Sequence, residues 1–325
     1  MMLIVLLIEQ SLKPRSIYPC YNQAMELHTC LWNEVEAFSF TDDDLKVLHR
    51  GYPELRIRRH EDIAGFLAQA HLADIILAWD FQDSWYRACP KLQLIFTPAA
   101  GDDWIQRDPN NRVNIVHGTF HGQILAESLL GAILFMNHRM PEMVRNHRER
   151  KWDRNLQAGS RLLRNQHVLI IGIGNIGLAC AQVIKQLGAE VIGIRRSARS
   201  GSEPGIRPIE ELDALIPWAD HVVLLLPATP ETDSFMDRKR LSLMKPGAYI
   251  YNFGRGNALA TSDLLASLDH LGGAFLDVLD EEPLPDNSAL WHEPKVMITP
   301  HSSCVYEEYR SLFIAEVGEL LKTYL

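Results

Sequence analysis

Residues 167–196, "HVLIIGIGNIGLACAQVIKQLGAEVIGIRR", constrain the fold of this chain more than any other stretch. Val168–Ile171 read as a buried strand that runs directly into Gly172, Gly174 and Gly177 at GxGxxG spacing. An amphipathic helix over Ile176–Leu187 follows, Gly188 stands as its C-terminal stop, and Val191–Arg195 forms a second strand. A lone GxGxxG is weak, but between a strand and a helix it is the turn that brings backbone amides against a pyrophosphate. The first glycine permits the tight turn, the second lets the backbone approach the phosphates, and the third lets the helix pack on the sheet. Asn175 and Ile176 begin the helix, where the dipole and free amides favour an anion.

The end of the second strand bears on which dinucleotide fits. An NAD site usually carries Asp or Glu there, bonded to the ribose hydroxyls. This chain carries Arg195, Arg196 and Ser197 instead. A missing carboxylate and a present guanidinium both favour a 2′-phosphate, with each charge-assisted hydrogen bond contributing about 1.5–3 kcal/mol. NADP(H) is therefore the expected preferred cofactor. NAD(H) is the alternative if these arginines are only a solvated strand end.

The remaining sequence repeats the strand–helix alternation. Ahead of the glycine turn, strands are expected at Leu3–Ile8, Ile75–Ala78, Leu92–Phe96 and Val113–Val116, with helices at Asp43–Arg50 and Ile63–Ala70. Beyond it, strands at Val222–Leu226, Tyr249–Phe253, Phe275–Leu279 and Val296–Ile298 alternate with helices at Glu210–Leu215 and Ser262–Leu268. Short apolar strands separated by helices predict parallel sheets covered on both faces. The length of 325 residues suits roughly two domains, so the expected class is α/β with two doubly wound parallel sheets. Between the blocks, "ILAESLLGAILFMNHRMPEMVRNHRER" is helical in pattern, and Pro141 is placed to kink or split it. Its apolar first half should be buried between domains or against another subunit.

Three polar residues stand at or just past strand ends, where this architecture collects its ligands. Arg255 lies in "YNFGRGN", Glu282 in "DVLDEEP" and His301 in "ITPHSS". Hydride transfer to a carbonyl needs a cation to hold and polarise the substrate, a proton donor, and a group that keeps the donor charged. Guanidinium suits the first role, imidazole the second, and a carboxylate touching the imidazole the third.

The stretches "LIIGIGNIG", "LLLPATPET", "MKPGAYIYNFGRG", "FLDVLDEEPLP" and "LWHEPKVMITPH", in that order, resemble the signatures of the D-isomer-specific 2-hydroxyacid dehydrogenases. The resemblance spans roughly residues 90 to 310. Within the family the chain is most similar to the NADPH-using glyoxylate/hydroxypyruvate reductases, partly through "GIRRSAR". The resemblance implies that Arg255, Glu282 and His301 are the catalytic trio. It implies that Asp277 bonds the nicotinamide carboxamide and that Leu226, Pro227, Phe253, Gly254 and Ser303 belong to the cofactor groove. It also implies that Ala100 and Gly101, in "TPAAGDDW", present backbone amides to the substrate carboxylate. By the same likeness, residues 1–118 plus 300–325 form a flavodoxin-like substrate domain, and residues 119–299 form the Rossmann domain. A homodimer built around the nucleotide-binding domain and the long helix is implied too. Substrate side-chain preference would rest on the first-domain loops around Trp79, Phe81 and Trp104.

Other classes fit less well. A net charge of -9 argues against a nucleic-acid surface, and the Arg-rich stretch from Arg139 to Arg164 also carries Glu142, Glu149 and Asp153. The five cysteines, Cys20, Cys30, Cys89, Cys180 and Cys304, are odd in number and form no CxxC pair, which suits a reducing compartment. The opening "MMLIVLLIEQ" reads as a buried strand rather than a signal peptide, so a cytoplasmic location is expected. His117 and His121 stand at i, i+4 with no third ligand evident, so no metal site is expected; substrate contact or a hinge role remains for them. Cys304, three residues past His301, reads as packing. Formate oxidation on this scaffold is disfavoured, because that branch has glutamine where Glu282 stands. NAD-dependent 2-hydroxyacid oxidation and a nucleotide-sensing, corepressor-like module are the remaining alternatives.

Overall fold

Among the described residues, five strands in the first part of the chain and seven in the second each form their own parallel sheet. The computed structural model describes residues 24–101, 103–199, 201 and 203–325. The expected strand at Leu3–Ile8 and Cys20 lie outside the described residues. The first sheet comprises β1 (Glu26–Cys30), β2 (Arg56–Arg59), β3 (Ile75–Ala78), β4 (Leu94–Thr97) and β5 (Asn114–His117), ordered β2-β1-β3-β4-β5. That is the flavodoxin-like order. The second comprises β6 (His167–Ile171), β7 (Glu190–Ile194), β8 (Ile206–Arg207), β9 (His221–Leu224), β10 (Tyr249–Asn252), β11 (Gly273–Leu276) and β12 (Val296–Ile298). Its order, β12-β11-β10-β9-β6-β7-β8, is the Rossmann arrangement with one strand added at the far edge. Its strand order reverses between β6 and β9, beside the glycine turn.

Nine α-helices among the described residues connect or cover these sheets: α1 (Asp42–Gly51), α2 (Ile63–Gln69), α3 (His121–Asn137), α4 (Met140–Arg148), α5 (Asn175–Gln186), α6 (Leu212–Leu215), α7 (Arg238–Leu243), α8 (Thr261–Leu265) and α9 (Tyr309–Tyr324). The long helical pattern resolves into α3 and α4. Arg139, in the left-handed region at φ 56°, makes the break, and Pro141 falls in the first turn of α4. There its missing N–H is no loss. Helix α3 spans both bodies. Ile124, with Phe120 just ahead of the helix, joins the first core, whereas Leu125, Leu129, Ile133 and Met136 join the second beside α5. The chain returns through α9, whose Phe313, Ile314, Val317 and Leu321 pack with Leu27, Leu45 and Leu48 on the first sheet.

Two strands of the first sheet, β1 "ELHTC" and β2 "RIRR", were not expected from the sequence. A central strand between parallel neighbours should be apolar, yet β1 buries Glu26, His28 and Thr29. Their partners come from the β2 side. Arg58 donates from Nε to Glu26 at 2.5 Å, and His60 Nε2 lies 3.0 Å from His28 Nδ1. At the sheet edge, the charges of β2 leave it open to water on its far side, as edge strands tolerate.

Burial pushes His28, His121 and His221 down to about 4, against 6.5 when exposed. The unfolded chain then binds more protons than the folded one between pH 6.5 and 4, so stability falls as pH falls through that window. At pH 5 the expected loss is about 2 kcal/mol for each of the three. Urea unfolding at pH 7 and pH 5 checks this; an unchanged midpoint would show that these imidazoles take up protons without unfolding.

Candidate active site

The turn after β6 is built as the glycine spacing requires. Gly172 has φ +100°, and a Cβ there would lie 2.4 Å from the Leu225 carbonyl oxygen. Only glycine reconciles that conformation with such an approach. A Cβ on Gly177 would meet the Gly172 carbonyl at 2.9 Å, whereas one on Gly174 would meet nothing within 4 Å. The turn is thus tight below and open above, where Asn175 and Ile176 start a 12-residue helix. These features fit a pyrophosphate held by main-chain amides.

At the end of β7, Arg195 is partly buried, and Arg196 and Ser197 are exposed. Arg195 pairs through Nη2 with Glu203, while its buried Nε has no partner among the described residues. Glu203 is a residue the sequence reading missed. It lies eight positions downstream, and only the return of the chain into β8 brings it to the strand end. Glu231, past β9, is held below the ordinary carboxylate range by its own N–H and by Thr229, with Arg196 adding to the effect.

Leu226 and Pro227 follow β9, and Phe253 and Gly254 follow β10. A Cβ on Gly254 would lie 2.5 Å from the Leu226 nitrogen, so these two strand ends touch through backbone. Arg255 comes next, half-buried. Its Nε and Nη2 donate to Asp103 Oδ2 at 3.0 and 2.8 Å, and its Nη1 donates to the Gly254 carbonyl at 3.0 Å. Asp103 is the second missed residue; it brings the first-domain loop across to the Rossmann sheet. Gly101 faces the same guanidinium, because a Cβ there would stand 2.4 Å from Nη2, and Ala100 is exposed beside it.

From Arg255 the backbone leads continuously to His301. Gly256 packs on Leu279 so tightly that a Cβ would fall 1.6 Å from the Leu279 carbonyl oxygen. The Leu279 N–H donates to Glu282 Oε1 at 2.9 Å, and Glu282 Oε2 lies 2.9 Å from His301 Nδ1. A carboxylate only accepts, so Nδ1 carries the proton and Nε2 is left free for proton transfer. His301 itself sits in the left-handed region at φ 49°, with its N–H bonded to the Asp277 carbonyl at 2.9 Å. The Asp277 side chain is buried. It accepts from Thr299 Oγ1 at 2.7 Å and from the amides of Ser302 and Ser303 at 2.9 and 3.1 Å, shaping the turn that presents His301.

His121 is buried between the Gly118 carbonyl and the Tyr309 hydroxyl, 3.1 Å from each, and stacks on Phe120. It packs the crossing from β5 into α3. His117 ends β5 opposite Thr97. Burial, with Asp277 nearby, pushes the Cys304 thiol up to about 12, so it is no thiolate at neutral pH. Of the three first-domain aromatics, Phe81 is in the core and Trp79 donates to the Phe38 carbonyl at 3.0 Å. Trp104, next to Asp103, is 54% exposed.

A Rossmann sheet with an amide-lined glycine turn, facing a second α/β body across a cleft that holds an arginine and a carboxylate-bound histidine, defines a two-domain dinucleotide-binding protein. The family described as "D-isomer specific 2-hydroxyacid dehydrogenase, NAD binding domain" matches residues 130–303. The chain belongs to the D-isomer specific 2-hydroxyacid dehydrogenases. A Corynebacterium melassecola protein described only as "uncharacterized protein in proB 3'region" is 36% identical over 160 residues, or 48% of this chain; the match spans about half of that relative (51%). A family structure from Aeromonas salmonicida is 28% identical, covering 92% of this chain and 96% of that one, with a TM-score of 0.72. One from Xanthobacter autotrophicus Py2, in complex with NADPH and MES, shares the fold at 24% identity, 93% and 95% coverage and a TM-score of 0.77. The NADPH-dependent glyoxylate/hydroxypyruvate reductase of Sinorhizobium meliloti, with NADP and sulfate, does so at 23% identity, 92% and 94% coverage and a TM-score of 0.72. Among the described residues no helix is long and apolar enough to cross a membrane.

Proposed function

We propose that this chain reduces small 2-ketoacids, glyoxylate and hydroxypyruvate foremost, to D-2-hydroxy acids with NADPH. One observation carries the reading: Arg255 grips a carboxylate, and the His301–Glu282 pair stands on the neighbouring strand ends of the same cleft. Bound NADPH supplies the hydride. Arg255 holds the substrate carboxylate where Asp103 now sits and turns its remaining donors toward the carbonyl. The amides at Ala100 and Gly101 close on the other side of that carboxylate. His301 delivers a proton from Nε2 to the forming alkoxide, while Glu282 fixes the ring through Nδ1–H. Asp277 orders the turn that carries His301. Its Oδ1 accepts from Thr299, Ser302 and Ser303, whereas Oδ2 takes only the second branch of the Ser303 N–H at 3.2 Å, so Oδ2 is the oxygen with capacity for the nicotinamide carboxamide.

In this reading residues 24–118 and 300–325 form the substrate domain, and residues 119–299 form the cofactor domain. The working form is a cytoplasmic homodimer built on α3. The Arg195 socket is the basis for the NADPH preference, and the NADP-bound relatives agree with it. Loss of NADPH absorbance with a panel of 2-ketoacids tests the activity. Tight NADPH binding without turnover of any of them would favour a nucleotide-sensing module instead. Arg195→Asp is expected to raise KM for NADPH about ten- to a hundredfold relative to that for NADH. An unchanged ratio would remove the socket.

A further inference from the structure

We infer that Glu203 sets the balance between NADPH and NADH, by competing with the 2′-phosphate for Arg195 and by standing in for the missing strand-end carboxylate when NADH is bound. The inference rests on Arg195 being the 2′-phosphate ligand, as proposed above. The end of β7 is usually read by the residue type that occupies it: a carboxylate for a ribose diol, a guanidinium for a phosphate. Here both are present at one point. Arg195 comes from the strand itself, and Glu203 is carried back to it by the chain that enters β8. The Glu203 carbonyl accepts from the Ile206 N–H at 3.1 Å, and the Gly193 N–H donates to the Gly205 carbonyl at 2.8 Å. These main-chain bonds hold the returning segment against β7 with Glu203 beside Arg195.

The pair is neutral, so the socket offers a 2′-phosphate less positive charge than Arg195 alone would. To take the phosphate fully, Arg195 must leave Glu203, and a carboxylate then faces a dianion. The uncharged 2′-hydroxyl of NADH meets no such penalty, and the Glu203 carboxylate can accept from it while keeping Arg195. The arginine carries a second sign of this divided duty: its Nε is buried without a partner among the described residues although Nη2 is engaged, so pairing with Glu203 leaves the fork only partly satisfied. Glu203 is partly exposed, at 47%, and is free to move aside without disturbing a core.

The experiment measures NADPH and NADH dissociation constants on the full chain, by quenching of tryptophan fluorescence, for the native protein, Glu203→Gln and Arg195→Asp. Removing one like charge a few ångströms from the phosphate should tighten NADPH about tenfold in Glu203→Gln. Loss of the charged acceptor should weaken NADH a few-fold. Both constants unchanged, or both moving in the same direction, would overturn the inference. If Arg195→Asp shifts the NADPH-to-NADH ratio and Glu203→Gln does not, the socket stands and Glu203 has no part in it. If neither substitution shifts the ratio, the socket itself is wrong. Thermal melting of both variants confirms that each is folded before its ratio is read.

Discussion

His301→Asn is expected to lower kcat for 2-ketoacid reduction by about 10²- to 10⁴-fold, with NADPH affinity unchanged. Asparagine keeps a polar group of similar reach but supplies no proton at neutral pH. The geometry makes the loss specific to the chemical step, because His301 reaches Glu282 through Nδ1, which leaves Nε2 for the substrate in the proposed reaction. The companion change Glu282→Gln keeps the volume and a polar partner at Nδ1 but no longer holds the ring through a charge-assisted bond, so it should lower kcat less than His301→Asn. Steady-state kinetics check both. A His301→Asn enzyme within threefold of the native kcat would exclude this histidine as the proton donor.

Arg255→Ala should lower kcat/KM by about 10²- to 10³-fold, because two charge-assisted hydrogen bonds to the substrate carboxylate go with the side chain. Arg255→Lys should recover only part of that, since an ammonium cannot reproduce the planar fork. The Asp103 bond adds a further expectation. Native Arg255 must exchange one carboxylate for another when substrate enters, so Asp103→Asn should lower the substrate KM rather than raise it. Glyoxylate and a ketone lacking a carboxylate, compared in each variant, separate carboxylate binding from carbonyl polarisation. Equal losses with both compounds would mean that Arg255 does not hold the carboxylate.

The glycine turn was legible because its parts are local: strand, turn, helix and second strand lie within thirty consecutive residues. Arg255, Glu282 and His301 could be singled out because each lies within a few residues of its strand's end, so naming the strand places the residue. What escaped was non-local. β1 hid its strand character because Glu26 and His28 break the apolar run, and the groups that make their burial tolerable come from β2, about thirty residues on. Glu203 and Asp103 looked like surface carboxylates in polar loops. Their contacts with Arg195 and Arg255 exist only once one loop folds back to the sheet and the other reaches across the cleft. Phe81 and Trp104 illustrate the same limit, since period alone could not tell the core aromatic from the exposed one.

Where the chain first passes from one body to the other, the Glu316 carboxylate on α9 accepts from the amides of Thr119, at 3.0 Å, and Phe120, at 3.3 Å. The outgoing crossing is therefore tied to a helix that packs on the first sheet, so Thr119 and Phe120 travel with that body and any bending of the outgoing chain falls beyond them. One carboxylate thus sets where the first body ends along the chain, far from the residues that would carry the chemistry.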